Sequence, residues 1–193
     1  MSRLRIIGVG VLAASLLLGA SACSKDEKKD TTSDRAPISF ADPPEGSEAL
    51  GLCYAYDIKQ IKGLLGGDNT FKRLAPAAIG TKGDKVRGEA CAWQRTEPNG
   101  DDLSLRIEVR NYGKDTATLA SQFGALRQGT IGATDEPNLG EEAFSSVSDD
   151  TSLLQIKSGP YLLTLSSRSA GGLDPVKLEA LKLLGASGLD QLP

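Results

Sequence analysis

Three cysteines, Cys23, Cys53 and Cys91, are the residues of this chain best placed to do chemistry, and there is no histidine to help them. Without an imidazole, a Ser-His-Asp triad, a Cys-His pair and a histidine-ligated zinc site are all excluded. A serine–lysine mechanism would call for an S-x-x-K or K-T-G signature, and neither occurs. The G-x-x-x-x-G-K-[ST] phosphate loop and the aspartate spacing of a calcium loop are also missing. Asp and Glu fall mostly in loops and at helix caps rather than in facing pairs, so glycosidase chemistry has no framework. The expectation is a protein that is not an enzyme, with no catalytic residue, no cofactor and no metal.

The cysteines then divide by their surroundings. Arg3 and Arg5 precede an uncharged apolar run, Ile6 to Leu18, and the small residues Ala20, Ser21 and Ala22 lead directly into Cys23. At 1.5 Å per residue that run is too short to span a hydrocarbon core of about 30 Å, so it reads as an export signal. Ala20-Ser21-Ala22-Cys23 resembles a lipobox, in which the thiol of Cys23 would take a diacylglyceryl group and become the new N-terminus. The alternative is an ordinary cut after Ala22, with Cys23 a bystander. Residues 1–22 are thus expected to be a lipoprotein signal peptide. Residues 23–46, with Lys25, Asp26, Glu27, Lys28, Lys29, Asp30 and three prolines, are expected to be a disordered tether held to the cell membrane on its extracytoplasmic face. Acyl chains contribute about 0.8 kcal/mol per buried methylene, so two or more hold firmly.

With Cys23 acylated, Cys53 and Cys91 remain, and an even remainder in an exported chain implies one disulfide. No C-x-x-C points to redox chemistry. The net charge is −3 and aromatics make up 5% of the chain. Both features argue against a nucleic-acid partner, which needs a basic excess or a stacking platform.

The elements that must position these residues lie in 47–193, the size of a single domain with its own core. Asp57 caps a short helix with Ile58, Ile61, Leu64 and Leu65 at helical spacing, stopped by Gly66. Residues 68–88 read as a long loop with room for one helical turn near Leu74 to Ile79. Leu103, Leu105, Ile107 and Val109 alternate with polar residues and so form a half-buried strand, paired across Asn99-Gly100 with the Cys91–Trp93 strand. Only an odd-length turn puts Cys91 and Trp93 on the same side as Leu105 and Ile107; a three-residue loop, Asn99 to Asp101 with a bulge, is expected. Asp115 opens a helix carrying Leu119, Phe123 and Leu126. Strands are expected at Ala143–Ser148, Ser152–Lys157 and Tyr161–Ser166. Asp174-Pro175 would open a last helix that Gly185 stops. The fold class is α+β: an antiparallel sheet of about five strands with two or three helices packed on one face.

The cysteine before a helix ending in Leu64-Leu65-Gly66, the Cys91-Ala-Trp93 strand and the segment Leu139-Gly140-Glu141-Glu142-Ala143-Phe144 together resemble a family of small actinobacterial cell-envelope lipoproteins, a domain of unknown function. The resemblance spans most of 47–193. It implies an exported, disulfide-pinned α+β domain, similar to sensor-like or PsbP-like domains, and no catalytic residues.

Four further features have both a functional and a structural reading. Tyr54 and Tyr56 would line a ligand mouth or cover the disulfide. Trp93 would be a binding platform or pack against the bridge. Glu141-Glu142 would hold a cation or be solvated. Lys82, Lys85 and Arg87 would form a basic spot for an anionic envelope polymer, interrupted by Asp84 and Glu89. The expected function is a membrane-anchored, non-catalytic binding or interaction module whose partner is another envelope protein or component. The alternative is a carrier of a small apolar ligand between sheet and helices, which needs a cavity of several hundred Å³. A two-lobed solute receptor is disfavoured, because only one lobe is encoded.

Overall fold

A computed structural model describes residues 52–67, 70–81 and 83–193, apart from the Tyr54 side chain. These residues fall in the unit Arg35–Pro193. The expected signal peptide 1–22, the expected tether 23–46 with its Cys23, and Lys82 lie outside the described residues.

The alternating Leu103–Val109 run builds the centre. β3 (Arg87–Thr96) and β4 (Asp102–Asn111) pair antiparallel, with Cys91 opposite Ile107 and Trp93 opposite Leu105. The expected face is therefore correct, and the three-residue turn with its glycine bulge is present one residue earlier than expected, the Gly100 N–H donating to the Glu97 carbonyl at 2.9 Å. Pro98-Asn99-Gly100 is closed by the Glu97 N–H donating to the Asp101 carbonyl at 2.8 Å, with Gly100 at φ 90°. β8 (Tyr161–Ala170) joins the other side of β4, followed outward by β7 (Thr151–Ser158), β6 (Glu142–Val147) and β5 (Thr134–Asp135). On the outer edge of β3 lie β1 (Phe71–Arg73) and β2 (Ala77–Ile79), end to end.

The sheet thus has eight strands rather than about five. The three extra strands are two or three residues long, too short for alternation to be visible. Two of them sit in the segment expected to be loop, and the patch expected to turn helically contributes β2 instead.

Helices cover both faces, not one. α1 (Leu52–Ala55), α2 (Ile58–Leu65) and α4 (Leu178–Leu189) close over Cys91, Trp93, Leu105, Ile107, Leu154, Ile156, Leu163 and Leu165. α3 (Thr116–Gly129) lies on the opposite face, where Leu119 and Phe123 pack with Tyr112, Phe144 and Leu162. The cause is in the strands themselves: Ala143-Phe144, Leu153-Leu154 and Leu162-Leu163 present apolar side chains to both sides, which an antiparallel sheet with one wet face would not do.

The expected caps of α2 and α3 are present. Asp57 Oδ1 accepts from the Lys59 N–H at 2.9 Å, and Asp115 Oδ1 from the Thr118 N–H at 3.2 Å. α4 differs at both ends. It begins at Leu178 rather than at Pro175, because the Val176 N–H donates to Ser167 Oγ at 2.9 Å and holds the chain extended against β8. It also runs through Gly185, whose missing side chain admits Ile156: a Cβ there would stand 2.7 Å from Ile156 Cδ1.

Candidate functional site

The corner where α1 meets β3 gathers most of the residues singled out in the sequence. Cys53 and Cys91 are bonded, with Cα atoms 5.2 Å apart, and both are buried. Tyr56 and Trp93 are buried beside them, ring centroids 6.3 Å apart and edge to face. Trp93 is 1% exposed, so it packs in the core rather than offering a platform. Among the described residues neither the Tyr56 hydroxyl nor the Trp93 indole N–H has a hydrogen-bond partner. Burial pushes the Tyr56 phenol far above its ordinary value, so it stays neutral.

Glu89 completes this corner, and sequence reasoning placed it differently. It is 1% exposed, and its Oε2 accepts the Leu52 N–H at 2.8 Å, tying the start of α1 to β3. Its spacing two residues before Cys91 puts it on the same face as the disulfide. Ligand atoms of Cys53, Glu89 and Cys91 lie within 4.8 Å of one another, a spacing that suits a metal. Bonded sulfurs are not thiolates, however, so this trio is a structural corner while the disulfide is intact.

The remaining charged clusters are ion pairs, within a strand, between neighbouring strands, and from α4 to the loop before β6. Glu141 and Glu142 are not a bare acidic pair: Lys157 on β7 bonds Glu142 and lies 3.7 Å from Glu141 Oε2. Lys182 on α4 bridges Glu136 at 2.8 Å and Glu179 at 3.0 Å. Glu108 takes Arg106 at 2.8 Å and Arg110 at 2.6 Å. Burial opposes ionisation of Glu108 and Glu136. Arginine bonds outweigh it at the first, and Lys182 and Ser145 bonds at the second, so both carboxyls lie below their usual range. Hydrogen bonds from their carboxylate partners hold Lys157 and Lys182 above theirs. These shifts favour the charged forms, the opposite of what a general acid or base near neutrality requires.

Two surface grooves of about 440 Å³ accompany these clusters. One runs between α4 and the 136–139 loop, lined by Pro137, Leu139, Leu183 and Ala186 with Glu136, Glu179 and Lys182 at its rim. The other follows the outer side of α2, past Lys59, Lys62 and Gly63. Between sheet and helices, Leu105, Ile107, Leu154, Ile156, Leu181 and Leu184 are fully buried. Lys85 is exposed and Arg87 half-buried.

Fold and corner together define a disulfide-pinned α+β domain with one antiparallel sheet between two helical layers. Compared with protein-family models, with curated proteins and with solved structures, the chain matches none. Among the described residues no helix is long and apolar enough to cross a membrane.

Proposed function

We propose that this chain is a lipid-anchored protein of the extracytoplasmic membrane face, whose domain recognises another envelope protein or component without chemistry. The observation that carries the reading is the buried Cys53–Cys91 bond. Such a bond belongs to an oxidising compartment, and it leaves Cys23 as the one cysteine not engaged in it, directly after an apolar run and three small residues. The resemblance to actinobacterial lipoproteins agrees with this reading. The non-catalytic part is supported by the lack of histidine and by carboxylates and lysines committed to ion pairs that hold them charged. The two grooves of about 440 Å³ on the surface support recognition there rather than carriage of an apolar ligand inside.

The test is membrane fractionation of cells expressing the wild-type chain or Cys23→Ala, with labelled palmitate. After a high-salt wash of the membranes, wild type should carry label and sediment with them, and Cys23→Ala should lose both. A Cys23→Ala chain that stays in the salt-washed membrane fraction after cleavage of residues 1–22 sinks the anchor.

A further inference from the structure

We propose that the edge built by α2, β1 and β2 is a docking surface for an anionic lipid bilayer. The proposal deepens the tethered reading above and rests on it for the presence of a membrane.

Charge is separated across the sheet. Residues 58–95 carry eight Lys or Arg against three Asp or Glu, whereas residues 134–150 carry six acids and no base. The first stretch forms one edge and the second the opposite edge, because β1 and β2 flank β3 while β5 and β6 close the far side. Glu89, one of the three acids in the basic stretch, is 1% exposed and does not face solvent, while Arg95 is bonded to Glu97. Lys59, Lys72 and Arg73 are exposed, and Lys62 lies 5.6 Å over the Phe71 ring, which sets α2 alongside β1.

Apolar side chains sit among these cations. Ile58 is 41% exposed and Leu74 44%, the one beside Lys59 and the other beside Arg73. Cations interleaved with exposed aliphatic residues fit an interface of phosphate headgroups and acyl chains. The point of chain entry agrees: the Cys53–Cys91 bond fastens α1 to β3 between the residues that pair with Ala77 and Arg73. A chain leading back toward a lipid on Cys23 therefore joins the domain at this edge. A second copy is a poorer occupant, since four of the six acids opposite are already in ion pairs: Asp135 with Arg127, Glu136 with Lys182, and Glu141 and Glu142 with Lys157. In this arrangement the acyl chains anchor and the basic edge orients, turning β5 and β6 outward.

The experiment uses the chain from residue 23 onward with Cys23→Ser, which carries no acyl group. It is floated with vesicles of phosphatidylcholine alone, or of equal parts phosphatidylcholine and phosphatidylglycerol. Flotation with the anionic vesicles only, released by high salt, is expected. Lys59→Gln and Lys72→Gln should each weaken it about fivefold, Ile58→Ser and Leu74→Ser should weaken it further, and Lys177→Gln on α4 should not. No flotation, or equal loss from Lys177→Gln, overturns the surface, as does capture of an envelope protein through Lys59 and Lys72 without vesicle binding. The mass of Cys23 in the wild-type chain is read separately. Acylation without flotation of the Cys23→Ser form leaves the tether and removes the docking edge; flotation without acylation does the reverse.

Discussion

A Cβ placed on Gly188 would overlap the hydroxyl of Tyr56, so α4 approaches α1 only because residue 188 has no side chain. Glycine inside a helix ordinarily costs about 1 kcal/mol relative to alanine. Gly188→Ala should invert that sign and destabilise by about 1–3 kcal/mol, whereas Gly124→Ala on α3, where a Cβ meets nothing within 4 Å, should stabilise. Tyr56→Phe removes a buried oxygen that lacks a partner among the described residues, so it should be neutral or stabilising and should partly rescue Gly188→Ala. Urea unfolding of the four variants checks the cycle, and a destabilising Gly124→Ala would remove its reference.

The disulfide closes a loop of 38 residues between a four-residue helix and the sheet. Chain entropy values such a closure at about 4 kcal/mol. Replacing both cysteines by alanine should lower the unfolding free energy by roughly that amount. It should also free α1 before the β3–β4 hairpin, since the bond and the Glu89 contact tie α1's start to β3. Hydrogen exchange resolved by segment would show Leu52–Ala55 losing protection first. Equal loss across β3 and β4 would mean that the bond staples the whole sheet.

Trp93 is the only tryptophan and reports on the core. At 1% exposure its emission should be blue-shifted and inaccessible to iodide until the domain unfolds. Quenching of the native protein by iodide would return Trp93 to the surface and revive the platform reading.

Legibility followed the length of the pattern. The Leu103–Val109 alternation and the caps at Asp57 and Asp115 are local signals, and the elements they foretold are present. β1, β2 and β5 are too short to carry a period, and two helical layers were written only in adjacent apolar pairs such as Leu162-Leu163. Gly185 read as a stop because a sequence does not show that Ile156 needs its space. Asp174-Pro175 read as a helix start because the competing bond from Val176 to Ser167 is tertiary. In the candidate site, the cysteine pair followed from counting. Glu89, Lys157 and Lys182 gain their roles from partners 15 to 46 residues away, except Glu179, and no local spacing announces them.

Stability should be nearly flat from about pH 5 to 10, because the described domain has no histidine and both of its cysteines are bonded. Below that range the carboxyls matter. Glu108 and Glu136 are held beneath their ordinary 4.5, so their contribution is full above that value and lost as pH falls through the lowered one. Above it the signs reverse. Lys157 and Lys182 are held above 10.5, and burial raises the Tyr56 phenol above 10.0, so these contributions are full below the ordinary values and fade as pH rises past them. Thermal midpoints measured from acid to alkaline pH should therefore trace a plateau with two falling ends. Lys182→Met should steepen neither end but lower the plateau and remove part of the acid fall, because Glu136 then loses the partner that depresses it. A midpoint that swings between pH 6 and 8 would require a group titrating near neutrality, and would contradict the assignment of these carboxylates and lysines to ion pairs that keep them charged.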